Sequence, residues 1–368
     1  MALRRTLTLM LCAITGASLV ATAVPSSAAP GFTISPLRTS DSIQSTSGFV
    51  VHLKDRSASA QRVRTAHAAS AMQATSTSLR GLVDRAAKVR GAHVTESLAR
   101  ANNSMSVQVS QGLNATAAKA FASEIERNPE VESVEPVLHM TINENTGVHP
   151  AAVSSAPNDQ YWNRQWGLNS ENGIDAPGAW ATNTGSGVTV AVIDSGITKH
   201  PDLDGKVLPG YDFISDRYAA GDGNGRDSDP SDEGDWTRAG ACTRRDVPSS
   251  WHGTHVAGII GAATNNARGV AGAAPGAKIL PVRALGHCGG TDVDIADGIT
   301  WASGGEVPGV PTNHNPAKVI NLSLGGPSNY CPITYQRAID AAVSRGSTVV
   351  VAAGNEAMDV RKSTPGNC

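Results

Sequence analysis

Val190-Ala-Val-Ile-Asp194-Ser-Gly196 decides the fold of this chain. Four apolar residues in a row run into an aspartate, and Ser195-Gly196 then makes a turn. A short, continuous apolar run fits a strand buried on both faces, as in a parallel sheet covered by helices. Similar runs occur at 278–282, 319–324 and 348–353, and helical patterning lies between them at 251–263, 292–302 and 335–345. Strands alternating with helices predict an α/β fold, a doubly wound, mostly parallel sheet with helices on both faces. In such a sheet ligands sit beyond the carboxyl ends of the strands. Asp194 stands at one of those ends, where a carboxylate can orient an imidazole and stabilise its cation.

Two further stretches supply matching parts. His252-Gly-Thr-His-Val-Ala-Gly258 opens a helix of small residues with a histidine. A thin helix packs close to the strands, so His252 can reach over their ends and accept a proton near neutral pH. His255 competes for that role and reads as a packed structural histidine. A zinc pair at this spacing is disfavoured, because the zinc-protease pattern places a glutamate between the two histidines. Val349-Val-Val-Ala-Ala-Gly-Asn355 carries an asparagine past another strand, where its amide can donate to a developing oxyanion.

The order aspartate, histidine, then serine is that of subtilisin. Over 158–368 the chain resembles the subtilisin-like serine protease family. The resemblance implies Asp194 as orienting carboxylate, His252 as general base and Asn355 as oxyanion donor. It implies a substrate cleft with Ser323, Leu324 and Gly325 on one side and Leu285, Gly289 and Gly290 on the other, with Ala353 and Gly354 beside Asn355. Substrate would pair there as an added strand. No Gly-Thr-Ser-Met-Ala occurs in the 368 residues, so the nucleophile is expected beyond Cys368 and this chain alone is expected to be inactive. The alternative is a catalytically dead peptide-binding or inhibitory protein. A nucleotide-binding oxidoreductase is disfavoured, because Asp194-Ser-Gly-Ile stands where a Gly-x-Gly-x-x-Gly should follow the first strand.

Calcium is expected at two places. Asp222, Asp227, Asp229, Asp232 and Asp235 crowd into a glycine-containing loop, a donor set suited to a hard cation. The resemblance implies a second site from Asp159, Asp202 and the loop that includes Asn266. No organic cofactor is expected.

The first 29 residues read as a secretory signal: Arg4-Arg5, an apolar run from Leu7 to Val20, and small residues at Ser26 and Ala28. Residues 30–145 pattern as strand, helix, strand, helix, strand, a small ferredoxin-like α+β unit without a catalytic cluster. Phe49–Leu53, Ser104–Val109 and Val131–Val137 are its strands, and Asn114 caps a helix that Asn128-Pro129 ends. This unit resembles the inhibitor-like propeptides of secreted subtilisins. Residues 146–157 read as a linker, with a maturation cut expected within 141–157. Domain boundaries follow at 1–29, 30–145, 146–157 and 158–368.

Net charge is −2, which gives no field favouring nucleic acid or membrane; polypeptide substrates, the chain's own propeptide and a monomer are the expected partners and state. Cys12 leaves with the signal, and Cys242, Cys288, Cys331 and Cys368 remain. An exported chain with four cysteines suggests two bridges out of three connectivities. Loops leaving neighbouring strand ends predict Cys242–Cys288 and Cys331–Cys368.

Overall fold

The protein is described by a computed structural model covering residues 45–66, 71–142 and 156–368. The signal read at 1–29 and most of the linker at 146–157 lie outside the described residues.

The N-terminal lobe is built from β1 (Thr46–Leu53), α1 (Ala58–Thr65), α2 (Ala71–Ala74), α3 (Thr77–Val89), β2 (Val94–Arg100), β3 (Ser104–Leu113), α4 (Ala115–Ile125) and β4 (Val131–Pro136). Its strands form an antiparallel sheet in the order β2-β3-β1-β4. Side-chain caps start the longer helices: Ser57 accepts from Ala60 N, Ser76 from Leu79 N and Asn114 from Ala117 N. One face of the sheet packs on these helices through Phe49, Val51, Leu53, Leu79, Val83, Phe121 and Ile125, and the Phe49 and Phe121 rings lie 4.5 Å apart.

Strand β2 was not expected from the sequence. Thr95 and Glu96 are exposed, so its apolar alternation is weak. The missed signal is Asn102-Asn103, with φ of 55° and 58°, the left-handed pair that closes a tight hairpin onto β3.

After β4 comes β5 (His139–Ile142), and then the C-terminal lobe. The latter comprises α5 (Trp166–Asn169), α6 (Ala176–Trp180), β6 (Thr189–Asp194), β7 (Tyr211–Asp212), α7 (Arg217–Ala220), α8 (His252–Gly261), β8 (Lys278–Arg283), β9 (Gly290–Thr291), α9 (Asp292–Ala302), β10 (Val319–Leu322), β11 (Leu324–Pro327), α10 (Ile333–Ser344), β12 (Thr348–Val351) and β13 (Ser363–Thr364). The central sheet has the order β12-β10-β6-β8-β7, with every pair parallel. Side chains alternate between its faces. Val192 and Ile279 meet Val256 and Ala257 of α8, while Ala191, Ile193, Leu280 and Val282 share the other core with Ile295, Ile299, Ala338 and Ala342. The doubly wound α/β fold is thus present. The strand read at 319–324 is two strands, because at Ser323 the chain leaves the sheet to pair elsewhere.

Both disulfides join the expected partners, with Cα atoms 5.7 Å apart for Cys242–Cys288 and 5.0 Å for Cys331–Cys368.

Candidate active site

Asp194 ends β6 with its carboxylate fully buried. Oδ1 and Oδ2 lie 2.8 and 2.9 Å from Nδ1 of His252, the first residue of α8. Oδ1 also accepts from Ser195 N at 2.7 Å. A carboxylate on Nδ1 fixes the tautomer in which Nδ1 donates and Nε2 is the proton acceptor.

The chain around the pair holds it in place. Ser195 Oγ accepts from Gly253 N at 2.9 Å and donates to Asp232 Oδ2 at 2.7 Å. Ser250 Oγ accepts from His252 N at 3.2 Å and donates to Asp235 Oδ2 at 2.8 Å. Residue 253 must be small, since a Cβ there would sit 2.2 Å from Gly196 O. The first turn of α8 is therefore pinned to the turn after Asp194. His255 corrects its expectation: it lies exposed on the outer side of α8 rather than packed.

The expected cleft residues line two edges, and the chain's own β5 lies between them. On one edge Leu324 pairs with Ile142 and Gly325 with Thr141; on the other, Gly290 pairs with Met140 and Thr291 with His139, all antiparallel. Met140 is buried, as is Leu285 behind Gly290. Gly289 is held at φ +91°, and a Cβ there would reach within 2.1 Å of Met140 O. Ser323 precedes Leu324 and accepts from Asn321 Nδ2 at 2.9 Å. Ala353, Gly354 and Asn355 follow β12, two strands from β6 at the same edge of the sheet, and Asn355 is exposed.

In the acidic loop, the first place where calcium is expected, the carboxylates take protein donors. Among the described residues no three His, Cys, Asp or Glu side chains gather as a metal site. The loop's donors come mostly from its own turns. Asp222 accepts from Asn224 N, Asp227 from Asp229 N, Asp229 from Ser231 N, Asp232 from Gly234 N and Asp235 from Ser250 N. Asp232 and Asp235 serve the His252 helix, a role the loop's composition did not reveal.

The second set is drawn onto one loop. Asp159 Oδ2 accepts from Asn265 N at 2.9 Å. Asp202 accepts from Asn266 Nδ2 at 2.7 Å and from Val270 N at 2.8 Å. Asp159 Oδ1 is buried with no hydrogen-bond partner.

The sequence profile described as the Subtilase family matches residues 185–368, half of the chain. This chain belongs to the subtilase family. It is 51% identical over 268 residues to an extracellular protease of Xanthomonas campestris, covering 71% of this chain and 44% of that protein. It is 47% identical over 251 residues to an extracellular basic protease of Dichelobacter nodosus, covering 66% and 40%. The chain thus spans under half the length of either relative. Among solved structures, a protease from Pseudoalteromonas arctica matches with TM-score 0.57 and 54% identity, over 58% of this chain and 63% of that one. Fervidolysin from Fervidobacterium pennivorans, described as a keratinolytic enzyme related to subtilisin, matches with TM-score 0.53 and 25% identity, over 86% of this chain and 40% of that one. A share of 86% extends beyond residues 158–368 into the N-terminal lobe.

The lobes also meet through buried acids. Glu135 of β4 accepts from Ile333 N and Thr334 N at the start of α10, and lies 2.9 Å from His52 Nε2. Burial alone would raise its carboxyl, but His52 and Thr334 hold it below the usual value. Asp292, fully buried, accepts from Leu138 N at 3.0 Å. Burial and then the nearby Glu135 push Asp292 well above the carboxylate range, against the weaker pull of two backbone bonds and Arg100. A raised native pKa means that folding binds a proton. That contribution is complete below the unfolded value of about 3.9 and is lost as pH rises through the native value. Asp292→Asn should therefore flatten the fall of thermal stability as pH rises above about 4. Melting curves from pH 4 to 9 that fall equally in both proteins would contradict this.

Proposed function

We propose that this chain is the N-terminal part of a secreted serine endopeptidase zymogen. In this reading Asp194 orients His252, His252 is the general base, and the serine lies in sequence following Cys368. Asn355 and backbone donors stabilise the oxyanion. The N-terminal lobe is the propeptide and inhibits in place of substrate. Extracellular action is inferred from the names of the Xanthomonas and Dichelobacter relatives, together with the signal-like start.

The observation that carries this reading is β5. It runs between the two cleft edges as an added strand, which is how an extended peptide is gripped. It runs antiparallel to β11, from Gly325 towards Leu324 and so towards the end of β10. That end adjoins β6, whose last residue is Asp194. The C-terminal end of β5 is therefore directed towards the sheet edge that carries Asp194 and His252. A cleft filled this way is inhibited by its own product.

Calcium, if bound, would be held by Asp159, Asp202 and Asn266 with neighbouring carbonyls. The unpartnered Asp159 Oδ1 and the nearby Asp202 carboxylate suit an oxygen-seeking cation. It would tie the loop at 265–270 to the start of the lobe.

N-terminal sequencing of the processed, longer protein tests the reading. The first cut should fall within a few residues after Ile142. A mature chain starting before His139 would sink the inhibitory role of β5, and one starting inside 165–190 would sink the linker assignment.

A further inference from the structure

Arg100 ends β2 and is 4% exposed, yet its guanidinium reaches into the other lobe. Nη1 donates to Asp294 Oδ1 at 2.7 Å and to Asp297 Oδ2 at 3.3 Å, and Nη2 to Ser215 Oγ at 3.4 Å. Only Nε is held within its own lobe, by Ser106 Oγ at 2.8 Å. The adjacent Ala101 N also donates to Asp297, at 2.9 Å.

The pocket has its own framework. Arg226 Nη2 donates to the same two carboxylates at 2.7 and 2.8 Å, and its Nε to Phe213 O at 3.0 Å. Ser215 N and Oγ both donate to Asp294 Oδ2, at 3.2 and 3.1 Å. Asp294 and Asp297 stand three residues apart on α9, so they share a face. Burial pushes Asp294 up, but Arg100 and Arg226 overcome it and hold the carboxyl at about 2. Two buried negative charges thus meet two positive ones. If Arg100 withdraws, one negative charge stays buried without a counter-charge, a costly state.

We propose that Asp294, Asp297, Ser215 and Arg226 form a guanidinium-binding site of the C-terminal lobe. Arg100 fills it while the N-terminal lobe is docked, and an arginine side chain of a bound polypeptide fills it after that lobe leaves. The second half rests on the zymogen reading above. The site begins two residues beyond Asp292, which grips the backbone of Leu138, so it continues the cleft past β9. Two carboxylates set side by side suit a planar fork of donors better than an ammonium point charge.

Chemical rescue of the unprocessed 368-residue chain tests the pocket without any catalysis. Arg100→Ala should lower the thermal midpoint, and millimolar ethylguanidinium should restore most of the loss. Ethylammonium should restore little, wild type should gain nothing, and Arg100→Ala with Asp297→Asn should show no rescue. Equal effects of the two cations, or rescue that survives Asp297→Asn, would overturn the site. If Arg100→Ala does not fold alone, refolding yield with each cation is read instead: a guanidinium-specific gain supports the site and equal yields overturn it. For the released state, the probe is Nα-acetylarginine amide against its uncharged citrulline analogue, bound to the processed, longer protein. A preference of about tenfold or more supports the exposed pocket, and equal binding overturns it. Absence of processing would count against the zymogen reading and leave the rescue result standing.

Discussion

In a protein extended through the serine, His252→Ala is expected to leave the N-terminal lobe attached, and Asp194→Asn to slow turnover by about 10⁴. The magnitude is that measured for the equivalent change in a trypsin-like triad, not one derived from this chain. The geometry explains why it should carry over. Both Asp194 oxygens face His252 Nδ1, and one also accepts from Ser195 N. An asparagine keeps the shape, but an amide nitrogen turned towards the ring forces Nδ1 to accept. The proton then sits on Nε2, the atom that must take one. His252→Ala removes the base itself. The checks are the electrophoretic mobility of the secreted protein and active-site titration after processing. Normal processing of the His252→Ala protein would end its assignment as the base.

The parts legible in sequence are those fixed by local chemistry. The four apolar runs that end at Asp194, Arg283, Leu322 and Val351 are strands; those of β6 and β8 are buried by helices on both faces, while edge strand β12 leaves Thr348 and Val350 exposed. The Asp194–His252 pair was legible because its two ends sit at a strand terminus and a helix start. The disulfide pairs followed from the same topology. What escaped depended on partners far away in sequence. Asp232 read as one of five carboxylates in a loop, and nothing local marks it as the acceptor for Ser195, 37 residues earlier. Nothing in the sequence around Arg100 or Glu135 marks their partners. Their partners, Asp294 with Asp297 and Thr334, lie about 200 residues on. Strand β2 was missed because its inward-facing Ser97 and Ala99 are small and give no apolar alternation.

Gly289→Ala is expected to expel β5 from the cleft. Position 289 combines two constraints. Its φ of +91° disfavours any side chain, and a Cβ would lie 2.1 Å from the carbonyl oxygen of Met140, a backbone atom that cannot turn aside. Gly187 separates the two effects, because its φ is +78° and nothing lies within 4 Å of a Cβ there. Gly187→Ala should cost only the backbone term, roughly 1–2 kcal/mol. Gly289→Ala should cost that and, in addition, the pairing of Met140 with Gly290 and of His139 with Thr291, since β5 must move away. The amides of 139–142 should then exchange at least an order of magnitude faster, one decade for each 1.4 kcal/mol lost. Added protease should cut the same segment sooner. Movement of β9 instead is resisted, because the neighbouring Cys288 is tied to Cys242. Hydrogen exchange on the 368-residue protein reads this directly. If 139–142 stay as protected in Gly289→Ala as in Gly187→Ala, β5 does not depend on the close approach to Gly289, and the grip on a peptide must come from the Leu324–Gly325 edge.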